Sequence, residues 1–187
     1  MSFKTYDENN APAGSVDLLK NAKDKYGFVP NLLATMAEAP ALTKAYMTLA
    51  GIFEETSFDA TERQIVLLAT SFANSCHYCM AAHTAIAGMQ NVPQDVIKAL
   101  RENRPIADQK LEALRQFSYE VAESKGNPSQ SSLETFLTAG YGNQQVLEVI
   151  LGVGLKTLSN YTNHIADTRL DDAFQPVAWD ESETAAA

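Results

Sequence analysis

Three side chains in one short stretch have the types and spacing for joint chemistry. Residues 74–84 read Asn74-Ser75-Cys76-His77-Tyr78-Cys79-Met80-Ala81-Ala82-His83-Thr84. On a helix, Cys76, Cys79 and His83 fall at i, i+3 and i+7 and share one face. Two thiols so spaced at a helix start can reach disulfide distance. The thiolate is the nucleophile, and a free cysteine with a pKa of about 8.5 is mostly protonated at neutral pH. The open amides and dipole of a helix N-terminus lower that value, and Cys76 is placed to feel this most strongly. His83, one turn beyond Cys79, can take a proton from a thiol or pass one through water. The set suits thiol–disulfide exchange.

These are the only 2 cysteines in 187 residues. A bond between them would close a tiny loop and constrain little of the unfolded chain. Secreted scaffolds instead spread several cysteines along the chain. In a reducing compartment, an adjacent pair points to redox chemistry or metal binding. The plainer alternative is two small buried residues and a satisfied core histidine. It accounts for any one of the three alone better than for all three at this spacing. Structural zinc wants four ligands, and His77 points off the shared face. A c-type haem site needs histidine directly after the second cysteine, where Met80 stands. No metal is expected, and no cofactor beyond the Cys76–Cys79 couple itself.

The formal net charge is -9, from 14 Lys and Arg against 23 Asp and Glu. That leaves no basic footprint for nucleic acid or for an acidic membrane surface. No apolar run approaches the roughly 20 residues needed to span a bilayer. The polar start, Met1 to Asn10, does not read as a secretory signal. A soluble, cytoplasmic protein is expected.

The elements that must position the thiols read as helix after helix. Ser15–Tyr26 stops at Gly27, Asn31–Ala37 follows Pro30, and Pro40 opens a segment through Phe53. Asp59 or Thr61 caps a strongly apolar helix, Glu62 to Asn74. Asn74-Ser75 is a second cap signal, predicting a helix from Cys76 to Ala87 that ends at Gly88. Further helices are predicted from Pro93 to Leu100, from an Asp108 cap to Glu123, over Ser131–Ala139, and over Asn143–Ala166. Leu170–Trp179 reads as irregular. No strand alternation and no glycine-rich phosphate loop is found. The expected fold class is all-α, a multi-helix bundle in one domain, 1–179, with a flexible C-terminal tail, 180–187. The long apolar helix Asn143–Ala166 is expected to be buried between subunits of a closed homo-oligomer. Trp179 is expected on a neighbouring subunit, Tyr141 as a packing anchor and His77 in solvent. His164 is read as structural, with a contact near the thiols as the functional alternative.

Thr61-Glu62-Arg63-Gln64-Ile65-Val66-Leu67-Leu68-Ala69, followed by Asn74 to Thr84, resembles the core motif of the AhpD-like branch of the carboxymuconolactone decarboxylase superfamily. The motif spans 59–88. The later Leu158-Ser159-Asn160-Tyr161-Thr162-Asn163-His164-Ile165-Ala166 is similar to a segment of its peroxidase-related members. The resemblance implies an AhpD-like helical bundle assembled into homo-trimers or homo-hexamers. It implies thiol-dependent reduction of small alkyl hydroperoxides, with the disulfide re-reduced by a dithiol of protein or lipoyl type. In the family the second cysteine, here Cys79, attacks the peroxide, its proton leaves through the histidine matching His83, and Cys76 resolves. The helix-start argument instead favours Cys76 as the more acidic thiol, so the order stays open. The sequence departs from the family twice. The position of a relay glutamate falls at Gln64, which can hydrogen-bond but cannot carry protons as a carboxylate does. A second histidine between the cysteines is replaced by Tyr78, a poor base at neutral pH. Glu62, two residues before Gln64 on another side of the helix, is a helix cap first and a substitute relay second. The alternatives are a non-catalytic redox sensor and a cofactor-free carboxymuconolactone-type decarboxylase; members with the latter activity generally lack the cysteine pair.

Overall fold

The computed structural model describes residues 3–180 and 182. Its helices are α1 (Ala13–Tyr26), α2 (Asn31–Met36), α3 (Pro40–Glu54), α4 (Ala60–Ala73), α5 (His77–Met89), α6 (Gln94–Arg101), α7 (Gln109–Glu123), α8 (Gln130–Thr138) and α9 (Asn143–Ala166). No strand occurs among the described residues. The all-α class is therefore what folds. Most of the expected flexible tail, 180–187, lies outside the described residues.

Local chemistry explains the boundaries. Asp59 caps α4 with a reciprocal capping box: its carboxylate accepts from Glu62 N at 2.8 Å, and Glu62 accepts from Asp59 N at 3.0 Å. Asp108 caps α7 through Lys110 N and Leu111 N, and Ser129 caps α8. Two expectations need correction. α1 starts at Ala13, two residues earlier than predicted, with Pro12 before its first turn. Gly88 does not stop α5, which runs to Met89 and closes where Asn91 turns left-handed at φ 59°. Asparagine tolerates that conformation well, so it can end a helix where glycine is usual. The stretch expected to be irregular contains a short 3-10 helix, Asp172–Val177.

α4 runs through the middle, packed against α7, α5, α9 and α6. Its buried residues Ile65, Val66 and Leu68 join Phe53, Phe117, Phe136 and Val149 in the larger core. α9 comes close to α3 and α4 at Gly152, where a Cβ would sit 2.5 Å from Val66 Cγ1 and 2.9 Å from the Phe53 ring. Only glycine allows that approach. Phe117, Phe136 and Tyr141 stack in a column with centroids 4.5 and 4.4 Å apart, so Tyr141 is the expected anchor. Trp179 packs within its own chain, not on a neighbour. Its ring meets Phe72 and His77, and its indole N–H donates to Arg101 O at 2.9 Å. A second core cluster gathers α1, α2 and the start of α5, including Cys76 and Cys79. Tyr46 of α3 packs against both clusters, so the thiols lie close to the seam between them.

Candidate active site

The turn between α4 and α5 sets the first thiol. Asn74 ends α4, Ser75 adopts a left-handed φ of 49°, Ser75 N donates to Phe72 O, and Cys76 N donates to Ser71 O. This is a Schellman closure with serine where glycine is usual, at a cost on the order of 1 kcal/mol. It delivers Cys76 as the N-cap residue of α5, just outside the helix, rather than as its first helical residue. Cys79 and His83 follow within the helix, one turn apart. Both cysteines are free thiols, and their exposures are 0% and 2%. The two thiols are close enough to perturb each other's ionisation.

α9 supplies the other wall. Lys156, Ser159, Asn160 and Asn163 occupy i, i+3, i+4 and i+7 and form a buried polar stripe on an otherwise apolar helix. Asn163 Nδ2 donates to Cys79 Sγ at 3.3 Å and to Cys76 Sγ at 3.7 Å. The Ser159 hydroxyl lies 3.7 Å from Cys79 Sγ. Lys156 is 1% exposed, and its Nζ has no hydrogen-bond partner among the described residues. Asn160 Nδ2 and Asn163 Oδ1 are likewise buried without partners. From α3, the Tyr46 ring stands near Cys79 and Ser159, and its hydroxyl is pushed up by burial and by the Cys79 charge.

These neighbours split the two thiols. Burial pushes the Cys79 thiol up, but the Cys76 hydrogen bond, the Lys156 charge and Ser159 outweigh it, and Cys79 falls well below the usual thiol range. Cys76 moves the other way, raised by its hydrogen bond to Cys79, by burial and by the Cys79 charge. Against the helix-start argument for Cys76 stand the Cys76 hydrogen bond to Cys79 and, from α9, the Lys156 charge and Ser159, all of which favour the Cys79 thiolate. The His83 imidazole is held well below its ordinary value by burial and by Lys156. Its Nδ1 lies 3.0 Å from Gln64 Oε1, while Gln64 Nε2 donates to Gln90 Oε1 at 3.0 Å. This bonding assigns the proton to Nδ1 and leaves Nε2 with a free lone pair. Gln64 is therefore the residue of α4 that touches the histidine.

The remaining sequence candidates lie elsewhere. Tyr78 turns from the sulfurs to bond Asp171, and its hydroxyl also accepts from Leu32 N at 3.3 Å. Glu62 stays at its capping box and accepts from Lys110 Nζ at 3.1 Å and Tyr141 OH at 3.0 Å, so it does not reach the histidine. His164 is exposed, turned about 100° around α9 from the buried Asn163. His77 is exposed as expected, with Nδ1 3.1 Å from Trp179 O. Lys156, Ser159, Asn163 and Tyr46 went unpredicted as site residues. The legible signal for the first three was a helical row of polar residues inside a long helix rich in apolar residues. No group of three or more His, Cys, Asp or Glu side chains converges as a metal site among the described residues, and no described helix is long and apolar enough to cross a membrane.

Residues 40–117, which carry both cysteines, His83 and Gln64, match the carboxymuconolactone decarboxylase family model. The family match thus falls on the segment that carries the thiols. A peroxidase-related protein with an AhpD core from Ralstonia eutropha JMP134 superposes with a TM-score of 0.80 at 22% identity, covering 92% of this chain and 93% of that one. A peroxidase-related protein from Silicibacter sp. TM1040 gives 0.74 at 18% identity, over 88% of each chain. The debrominase Bmp8, in complex with 2,3,4-tribromopyrrole, gives 0.79 at 16% identity, over 94% and 95%. At these identities the likeness is one of fold. No curated protein matches the sequence significantly. The family match and the thiol geometry both fall on the α4–α5 hairpin.

Proposed function

We propose that this AhpD-like protein is a thiol-dependent peroxidase and disulfide oxidoreductase working through Cys79, Cys76 and His83. The observation that carries this reading is the placement of two free, buried thiols under one amide of α9, with Asn163 Nδ2 3.3 Å from Cys79 Sγ and 3.7 Å from Cys76 Sγ and buried Lys156 on the same helix face. The Cys79 thiolate attacks the terminal oxygen of an alkyl hydroperoxide. An S–O bond forms, the O–O bond breaks, and the alkoxide leaves with a proton relayed from solvent through His83. The Cys76 thiol then displaces hydroxide from the Cys79 sulfenic acid, and that hydroxide takes up the Cys76 proton to leave as water. Two thiols and one hydroperoxide yield a disulfide, an alcohol and water. A dithiol, protein or lipoyl, restores the pair. His83 serves as a neutral relay with Nε2 free, oriented by Gln64.

The test is consumption of cumene hydroperoxide with dihydrolipoamide as reductant. Turnover is expected in the wild type and lost in both Cys79→Ser and Cys76→Ser. No turnover in the folded wild type, or turnover surviving Cys79→Ser, overturns the reading. A bromopyrrole belongs in the same assay. Two thiols could replace bromine by hydrogen, releasing bromide and forming the same disulfide, and the debrominase shares the fold. Bromide release without peroxide consumption would move the substrate class and keep the thiol pair.

A further inference from the structure

Lys156 is the one buried cation near the thiols that no sequence motif announces. Its side chain is 1% exposed and Nζ has no hydrogen-bond partner among the described residues. An ammonium taken out of water without a partner costs several kcal/mol, so such a group persists only beside a compensating charge. Among the described residues, no aspartate or glutamate bonds it. α2 carries no ionisable side chain at all. On α4, Glu62 is engaged with Lys110 and Tyr141, and Arg63 bonds Phe58 O. From α5 the titratable neighbours are Cys76, Cys79, His83 and Tyr78, with Asp171 behind Tyr78. From α3 the neighbour is Tyr46, with Tyr26 of α1 beyond it. The residues one and two turns along the same face of α9, Ser159 and Asn163, touch the sulfurs.

We propose that Lys156 is the fixed counter-ion of the dithiol, holding Cys79 as a thiolate in the reduced protein and losing that partner when the disulfide forms. The inference rests on the redox reading of the pair but not on the substrate. Its consequence is a proton count. Reduction of the disulfide takes two electrons and, with Cys79 left ionised, a single proton, which goes to Cys76. The loss of the thiolate on oxidation leaves the ammonium unmatched, which favours the reduced form and makes the disulfide oxidising. The proposal gives Lys156 no part in the bond being made, so it is a positioning residue acting through Cys79.

The experiment is the reduction potential of the pair against pH, by equilibration of the full chain with a dithiothreitol redox buffer between pH 6 and 8. One proton per two electrons changes the equilibrium constant tenfold per pH unit, about 30 mV. Two protons change it a hundredfold, about 59 mV. The wild type is expected to follow the first slope and Lys156→Met the second, with a lower potential in the variant at pH 7. A wild-type slope of about 59 mV per pH unit overturns the proposal by itself, whether or not the variant folds. Identical slopes in wild type and a folded Lys156→Met also overturn it. The peroxidase reading fails separately. A one-proton slope without peroxide consumption leaves the counter-ion standing, and peroxide turnover with a two-proton slope does the reverse.

Discussion

Asn163 offers the sharpest separation between holding a thiolate and holding the fold. Its Nδ2 donates to Cys79 Sγ at 3.3 Å, and its Oδ1 is buried without a partner. Replacing it with leucine, which is close in size, deletes the donor and the orphaned acceptor together. A hydrogen bond to a charged group contributes about 1.5–3 kcal/mol. The donor is shared with Cys76 at 3.7 Å, so the lower end of that range applies. About 1.5 kcal/mol is close to tenfold in proton affinity. The Cys79 thiol is held below its ordinary value, and loss of the donor must move it upward. The pH midpoint of Cys79 alkylation by iodoacetamide, measured with Cys76 as serine, should rise by about one unit in Asn163→Leu. The melting temperature should change little, because the lost bond is offset by burying no unsatisfied carbonyl. An unchanged or lowered midpoint in a folded variant would refute the reasoning. A large loss of stability with no midpoint shift would mean that the amide serves packing instead.

Gly152→Ala is expected to destabilise by about 1–3 kcal/mol, read as a lower urea midpoint with the slope kept. The new methyl would lie 2.5 Å from Val66 Cγ1 in a buried contact where neither neighbour has room to retreat. An unchanged midpoint would show that α9 can shift away from α4. Leu147, Ile150, Tyr161 and Ile165 form an exposed row down α9, at 66, 53, 53 and 74% exposure, with bare Gly154 in its middle. Light scattering is expected to show a homo-oligomer that Ile150→Glu with Ile165→Glu disperses, and a monomeric wild type would end that expectation.

The helices were legible because their signals are local. Asp59, Asp108 and the Pro40 start are cap chemistry within one turn of the boundary they set. The boundary errors came where the expected signal was not the one used: α1 begins after Pro12, and left-handed Asn91 rather than Gly88 closes α5. The thiol–histidine face was legible for the same reason, since i, i+3 and i+7 lie on one helix. What α9 adds was not, because nothing in the sequence says which face of a long apolar helix meets a segment some eighty residues away. His164 and Asn163 are neighbours in sequence, yet one is in solvent and the other bonds both sulfurs. The histidine drew attention by its chemistry, and the asparagine has the position.

The same geometry explains why glutamine is tolerable at position 64. A carboxylate there would stand about 3 Å from the His83 ring, a separation set by the Gln64 contact of 3.0 Å. It would draw a proton onto the imidazole and offer Lys156 a second anion, competing with the thiolate for that buried cation. A neutral amide orients the ring by the same bond without either effect. Lys156 then depresses both Cys79 and His83. On the proposed reading, the thiol ionises without a carboxylate relay, and the neutral imidazole keeps Nε2 open. A chain that lacks the relay glutamate can therefore still present a nucleophilic sulfur, provided the charge on the facing helix is kept. Gln64→Glu should then raise the His83 titration midpoint, followed by its ring-proton NMR shift, while slowing rather than speeding Cys79 alkylation at pH 7. Faster alkylation would show that the thiolate depends on a proton acceptor at position 64 and not on Lys156.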